Sequence, residues 1–179
     1  MAQLVRRFTS NIFALLTSYK LPVTGCSSGV GLRMSEYALE QGDKVVATLR
    51  KPSDISELQA RYPPAQLRVV KLDVTQPAEI ANAFAEAKQA FGKVDIVFNN
   101  AGCGIVGGIE DTPEKSARHL FDVNFWGMLN VAQEAVRFFR DENEKGAGGR
   151  LLAVSSEAGF HPIPALGFYS AAKFGKLRP

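Results

Sequence analysis

The chain has 179 residues, of which 46% are hydrophobic and 22% are charged, and its formal net charge is +3. This is the composition of an ordinary soluble globular domain, long enough to bury a substantial core. So small a charge, without a compact Lys/Arg run, argues against a nucleic-acid partner, and no apolar stretch is long enough to span a membrane. Cys26 and Cys103 form no paired framework, which favours a reducing compartment such as the cytoplasm. Two cysteines and two distant histidines argue against a structural zinc site, so we expect no metal.

Residues 1–19 form a distinct N-terminal extension. The chain has no Asp or Glu up to Met34, whereas Arg6 and Arg7 lie in a segment whose apolar residues recur at helical spacing. An acid-free, Arg-bearing amphipathic start is the composition of a mitochondrial leader. The alternatives are an extra helix or strand at a sheet edge, or a disordered extension.

Residues 20–179 form a single domain in which short apolar runs alternate with helical patterns. Strands that are nearly continuous in Val, Ile and Leu are typical of a parallel sheet buried on both faces. The alternation predicts a doubly wound α/β sheet of the Rossmann type with about five strands. The predicted strands are Lys20–Thr24, Lys44–Thr48, Leu67–Leu72, Val94–Asn99 and Arg150–Ser155. The predicted helices lie near Gly31–Gln41, Ser53–Tyr62, Pro77–Phe91 and Pro113–Glu144.

One residue conflicts with this pattern. Pro22 lies within the first predicted strand, which is central in a sheet of this kind. Because proline lacks an N–H donor, it is expected at a sheet edge or at a bulge.

A glycine-rich loop, Thr24-Gly25-Cys26-Ser27-Ser28-Gly29-Val30-Gly31, links the first strand to the first helix. Glycines allow a tight turn and close approach to a pyrophosphate, whose negative charge the start of a helix favours. The spacing is Gly-x3-Gly-x-Gly rather than the commoner Gly-x-Gly-x-x-Gly, so a purely structural turn is the alternative. The predicted cofactor-binding residues of the loop are Gly25, Ser27, Ser28, Gly29, Val30 and Gly31.

The end of the second strand predicts which dinucleotide is bound. An NAD site usually places an acid there, but Leu49, Arg50 and Lys51 occur instead, with no acid before Asp54. Arg50 presents a planar fork that suits a 2′-phosphate, and Lys51 adds charge. NADP(H) is therefore favoured over NAD(H). A solvated basic turn is the alternative.

Two further motifs follow the third and fourth strands. Asp73-Val74 places Asp73 near the adenine edge, and Asn99-Asn100-Ala101-Gly102 puts small residues where the cofactor ribose passes. Both motifs lie at the carboxyl ends of strands, where ligands bind in open α/β sheets. Asp73, Val74, Asn100, Ala101 and Gly102 are accordingly predicted to bind the cofactor.

These motifs, together with Asn124, Ser156 and Tyr169-x3-Lys173, resemble those of the short-chain dehydrogenase/reductase family in its single-domain branch. The resemblance covers residues 20 to 174. It implies an oxidoreductase that transfers a hydride between NADP(H) and a small alcohol or carbonyl substrate. The helical i,i+4 spacing lets Tyr169 and Lys173 share one face.

The resemblance also implies a role for each catalytic residue. Tyr169 is the expected general acid/base, and Ser156 holds the substrate oxygen. Lys173 stabilises the phenolate and grips the cofactor ribose, which Tyr169 also approaches, and Asn124 holds a water molecule. Ser155 replaces Ser156 if the strand register slips. His119 and His161 are interpreted as loop or surface residues.

The chain ends six residues after Lys173, whereas members of the family usually run to about 250 residues, near the size at which single cores stop growing. We therefore expect a truncated form that lacks the C-terminal strands and leaves the fifth strand at an edge. Homo-oligomers are usual in the family, but the expected truncation makes one doubtful here. The alternative function is a catalytically impaired nucleotide-binding remnant or interaction protein.

Overall fold

A computed structural model of the protein describes residues 18–177. The predicted N-terminal extension, with its leader-like pattern, lies outside these residues except for Ser18 and Tyr19. The strands are β1 Lys20–Thr24, β2 Lys44–Leu49, β3 Leu67–Lys71, β4 Ile96–Asn99 and β5 Arg150–Ala153. The α-helices are α1 Gly29–Glu40, α2 Ser56–Arg61, α3 Pro77–Phe91, α4 Glu114–Phe121, α5 Met128–Asp141 and α6 Gly167–Leu177. Among them lie short 3₁₀ turns at Pro52–Ile55 and Glu157–Gly159 and a π-helical segment at Asp122–Gly127.

The five strands form one parallel sheet in the order β3-β2-β1-β4-β5. This confirms the predicted doubly wound α/β fold. The chain builds outward from β1 to β3 and then crosses back to place β4 on the other side of β1. Ligands bind at such a reversal, beyond the carboxyl ends of the strands. Among the described strands, β5 lies at an edge, as the sequence led us to expect.

Both faces of the sheet are covered, which explains the nearly continuous apolar strands. Alternate residues of β2 point to opposite faces: Val45 and Ala47 pack in a cluster that includes Leu39 of α1. Val46 packs with α3 and α5 on the other face. There the rings of Phe84 and Phe138 lie 5.7 Å apart and join the two helices.

Pro22 lies in β1, the central strand of the sheet, and not in an edge strand. All five residues of β1 pair in register with β2, and Pro22 lies opposite Val46. On its other side, β1 pairs with β4 only through Val23 and Phe98 within the described residues. The strand tolerates a proline because its ladder with β2 stays complete while the ladder with β4 is short.

The long helix predicted over 113–144 is divided in three. α4 passes into the π-helical segment, and the chain then continues as α5. Gly127 permits this local widening, since a Cβ atom there would lie 2.7 Å from a methyl carbon of Val74 and 3.0 Å from the Asp122 carbonyl oxygen. Segments of this kind are frequent at functional sites, and this one contains Asn124. None of the helices within residues 18–177 is both long and apolar enough to cross a bilayer.

Candidate cofactor and active site

A cleft of about 290 Å³ lies at the carboxyl ends of the first four strands. Its walls include ten of the predicted cofactor-binding residues: Gly25, Ser27, Ser28, Val30, Arg50, Asp73, Val74, Asn100, Ala101 and Gly102. Five further lining residues were not predicted: Leu49, Leu72, Cys103, His119 and Val123. The predicted motifs, which are far apart in sequence, thus meet in one place.

The glycine loop is shaped by backbone geometry. Gly25 and Gly29 have φ angles of +73° and +58°, in the region that favours glycine. Gly31 lies behind the loop, where a Cβ atom would come within 2.3 Å of the Gly25 carbonyl oxygen. The loop can therefore fold tightly over the start of α1. The side chain of Ser28, the N-cap residue, makes no capping hydrogen bond to the described part of this helix, so the first N–H groups of the helix suit an anion.

Hydrogen bonds fasten this loop to the end of β4. The hydroxyl oxygen of Thr24 accepts from the backbone N–H groups of Asn100 and Ala101, at 2.9 Å each. The Asn100 amide donates to the carbonyl oxygens of Thr24 and Gly25, at 2.9 and 3.3 Å. Asn100 is thus a residue that positions the glycine loop as well as part of the cleft wall.

Arg50 is exposed at the mouth of the cleft and forms no ion pair within the described part of the chain. Its neighbour Lys51 is 3.8 Å from the carboxylate of Asp54. Arg50 is consequently the freer of the two cations, and its guanidinium can bind a phosphate.

Asp73 lines the same cleft as Arg50 and lies just after the end of β3. Its Oδ1 atom accepts hydrogen bonds from the N–H and the hydroxyl of Thr75, at 3.0 and 2.8 Å. Partial burial acts to raise the pKa of Asp73, but these bonds and the charges of Arg50 and His119 outweigh it and hold the pKa below its usual range. The carboxyl group is therefore an ionised acceptor at neutral pH.

Tyr169 and Lys173 lie on α6 beyond Gly102. The Lys173 side chain is buried, and its Nζ atom is 5.4 Å from the centre of the Tyr169 ring. A Cβ atom on Gly102 would lie 3.6 Å from Lys173 Nζ and 3.0 Å from Asn124 Oδ1. Glycine at this position therefore lets the β4 loop pass directly beside both side chains.

Ser156 precedes the 3₁₀ turn Glu157–Gly159, which packs against α6. The hydroxyl of Ser156 accepts a hydrogen bond of 3.2 Å from the N–H of Ala158. The neighbouring Ser155 Oγ is buried and has no hydrogen-bond partner among residues 18–177. The choice of Ser156 over Ser155 as the substrate-binding serine stays a prediction.

A family model for short chain dehydrogenases matches residues 21–177. The chain belongs to the short-chain dehydrogenase family.

Individual relatives agree with the family assignment. An uncharacterized oxidoreductase of Schizosaccharomyces pombe is 41% identical over 152 residues, which are 85% of this chain and 49% of that one. An NADP-dependent (R)-specific alcohol dehydrogenase of Lentilactobacillus kefiri is 33% identical, over 84% of this chain and 59% of its own. The crystal structure of a short chain dehydrogenase/reductase of Burkholderia phymatum in complex with NAD has a TM-score of 0.81 and 26% identity, covering 89% of this chain and 57% of that one. The chain spans about half the length of the curated relatives it matches first.

Asn124 of this short-chain dehydrogenase is fully buried and holds the loop after β4. Its Oδ1 atom accepts from the N–H of Cys103 at 2.9 Å, and its Nδ2 atom donates to the Cys103 carbonyl oxygen at 2.6 Å. Both polar atoms of the Asn124 amide therefore form hydrogen bonds with the backbone of one residue, Cys103. The predicted role of Asn124 in holding a water molecule stays a prediction.

Within residues 18–177, no three or more His, Cys, Asp and Glu side chains are grouped so as to hold a metal ion. The polar groups that meet in the cleft are instead backbone amides, hydroxyls, an arginine and a carboxylate. This set of donors and acceptors suits a dinucleotide.

We expect the two thiols to react very differently with iodoacetamide. Burial raises the pKa of Cys26 to about 12, so this residue should stay unmodified in the native protein. Partial burial also raises the pKa of Cys103, against the charges of Arg50 and Lys173, so its alkylation should be slow at neutral pH and accelerate as the pH is raised. Peptide mapping by mass spectrometry measures both rates.

The Cys103→Ser variant serves as the control and should take up no reagent while folded. Since Cys103 lines the cleft, saturating NADPH should slow its alkylation at least about threefold. Native-state labelling of Cys26 at a rate comparable to that of Cys103 would contradict this account.

Proposed function

We propose that this short-chain dehydrogenase is an oxidoreductase that transfers a hydride between NADP(H) and an alcohol or carbonyl substrate. The observation that carries the proposal is the convergence of two groups at one edge of the sheet. Arg50 and Asp73 form the first group, and they line the cleft together with Gly102. The second group is Lys173, whose Nζ atom would lie 3.6 Å from a Cβ atom on Gly102, and Tyr169, whose ring centre is 5.4 Å from that Nζ atom. The first group is suited to an adenosine 2′-phosphate, and the second to proton transfer.

The residues of the cleft fit the dinucleotide in three places. The glycine loop and the start of α1 would bind the pyrophosphate, and Asp73 would accept a hydrogen bond from the adenine amino group. Arg50 would bind the 2′-phosphate, and Leu49 cannot accept hydrogen bonds from the ribose hydroxyls of NAD. The Lentilactobacillus relative is named as NADP-dependent, which supports the preference, whereas the Burkholderia structure contains NAD.

The nicotinamide ring supplies or accepts the hydride when the cofactor is bound. In the reductive direction, the Tyr169 hydroxyl donates its proton to the carbonyl oxygen as the alcohol forms. The Lys173 ammonium, 5.4 Å from the tyrosine ring centre, stabilises the phenolate that is left. Ser156 donates a hydrogen bond to the same substrate oxygen and orients it. In oxidation the phenolate of Tyr169 takes the alcohol proton.

Incubation of the purified protein with NADPH and a panel of aldehydes and ketones tests this function. We expect loss of NADPH absorbance that depends on the carbonyl compound, with the matching alcohol identified by mass spectrometry. NADPH binding without turnover on any member of the panel would favour the nucleotide-binding alternative. Failure to bind either dinucleotide would contradict both functions.

Replacing Arg50 tests the cofactor preference. A charge-assisted hydrogen bond of this kind contributes about 1.5–3 kcal/mol, so Arg50→Ala should raise the Kd for NADPH roughly 10- to 100-fold. The Kd for NADH should change less than about twofold, because NADH lacks the 2′-phosphate. Isothermal titration calorimetry measures both constants.

Arg61→Ala is a matched control, since Arg61 is also exposed but is paired with Glu36 at 3.1 Å, away from the cleft. It should leave both dissociation constants unchanged. Equal losses of NADPH and NADH affinity in Arg50→Ala would show that Arg50 does not recognise the 2′-phosphate.

A further inference from the structure

A second cavity lies beside the cofactor cleft. Its volume is about 370 Å³, and it is lined by Cys103, Gly104, Ile105, Lys115, Ser116 and His119. Two of these residues, Cys103 and His119, line the cleft as well. Cys103 belongs to the loop after β4, whereas His119 projects from α4. Both residues therefore lie where the two spaces adjoin.

His119 faces the adenine end of the cleft. Its helix runs on into the π-helical segment, where Val123, four residues later, lines the same cleft. The imidazole is also close enough to Asp73 to act electrostatically on its carboxylate. Asp73 is the proposed partner of the adenine amino group, so His119 lies beside the same end of the nucleotide.

The imidazole is free to meet a ligand. It is exposed, and within residues 18–177 it forms no hydrogen bond or ion pair. The neighbouring Arg118 is paired with Glu114 at 2.7 Å and does not line the cleft. Among the described residues that line the cleft, His119 is the one with an aromatic side chain.

We propose that His119 is an adenine-binding residue whose imidazole packs against the adenine ring of the bound dinucleotide. The proposal rests on the proposed function, since it assigns one wall of the same cofactor site. Asp73 meets the edge of the base, and Val123 and His119 provide surfaces for its face. Because His119 lines both cavities, its truncation removes that contact and widens the adenine end.

Nucleotide fragments test the proposal without any need for turnover. Dissociation constants for AMP, adenosine 2′,5′-bisphosphate and NADPH are measured by calorimetry on the full chain and on His119→Ala. Loss of one base–aromatic contact should weaken all three ligands by about five- to tenfold. Arg50→Ala should weaken only the two ligands that carry a 2′-phosphate. His119→Phe, which keeps an aromatic ring, should stay within about twofold of the parent protein.

His161→Ala is the matched control. It removes the other histidine, which is exposed and lies outside both cavities, so no dissociation constant should change. With only two histidines in the chain, proton NMR gives a second readout on the unmodified protein. AMP should shift the ring resonances of His119 and leave those of His161 in place. If His119→Ala does not fold, this NMR titration of the unmodified protein tests the adenine contact instead.

Each contrary outcome has its own meaning. Unchanged AMP affinity in His119→Ala, with the expected loss in Arg50→Ala, would overturn the adenine contact and leave the proposed function intact. Weakening of adenosine 2′,5′-bisphosphate and NADPH without any weakening of AMP would show that His119 acts through its charge on the 2′-phosphate, and it would also overturn the contact. Failure of the parent protein to bind any of the three ligands would overturn the proposed function and this inference together.

Discussion

Tyr169→Phe is expected to lower carbonyl reduction by about 10²- to 10⁴-fold, the range typical of a general acid. The substitution removes the hydroxyl that donates the proton and keeps the ring beside the Lys173 ammonium. NADPH affinity should therefore stay within about twofold of the parent value. Steady-state kinetics with the best carbonyl substrate and calorimetric titration with NADPH measure the two effects separately.

The matched control is Tyr62→Phe. Tyr62 packs against the core cluster between β2 and α1 and lies outside the cleft. Its hydroxyl should matter neither for turnover nor for binding. A Tyr169→Phe variant that keeps more than about a tenth of the parent kcat would show that another group supplies the proton. Parallel loss of NADPH affinity and turnover would instead assign Tyr169 to cofactor binding.

Gly31→Ala is expected to disrupt the cofactor loop and to destabilise the domain. The added Cβ atom would lie 2.3 Å from the Gly25 carbonyl oxygen and 2.6 Å from the Asn100 amide nitrogen. The first of these is a main-chain atom, so the loop itself must move. Overpacking of this kind costs about 1–3 kcal/mol, and we expect the upper end of that range. NADPH affinity should fall at least about tenfold because the amides at the start of α1 lose their alignment.

Urea unfolding and NADPH titration measure these losses. Gly104→Ala is the control for stability, since a Cβ atom on Gly104 meets no atom within 4 Å. Its free energy of unfolding should stay within about 0.5 kcal/mol of the parent. A Gly31→Ala variant with parent-like stability and NADPH affinity would contradict the tight packing of the glycine loop.

Much of the fold could be predicted because the patterns that produce it, apolar runs and the order of strands and helices, lie in short stretches of sequence. Runs such as Val45-Val46-Ala47 are buried on both faces, so they show continuous apolar character, and helices between them make the connections parallel. The π-helical segment that interrupts the helix predicted over 113–144 could not be predicted in this way. Apolar spacing does not distinguish an α-turn from a π-turn, and the contact between Gly127 and Val74 that permits the wider turn joins residues distant in the chain.

The residues of the candidate site also differ in whether the sequence could identify them. The glycine loop, Arg50 and Asp73 were recognisable because they follow strands, whose carboxyl ends meet at one edge. His119 is predicted to be a loop or surface residue, and its side chain is exposed. Nothing in the spacing of α4 indicates that this residue also lines the cleft. The sequence indicates only that Cys103 is an unpaired thiol, whereas two hydrogen bonds with Asn124, one donated by each residue, hold its backbone at the cleft.

The amino-acid sequence by itself determined the fold class, the family and the motifs expected to bind the dinucleotide. All three depend on residue type, on short spacings and on the order of elements along the chain. Only the tertiary structure decided that Gly31 is needed for close packing and that His119 lines the cleft. It also decided that, within residues 18–177, Lys51 has an ion-pair partner and Arg50 has none. These properties depend on contacts between elements that are brought together when the sheet is covered by its helices.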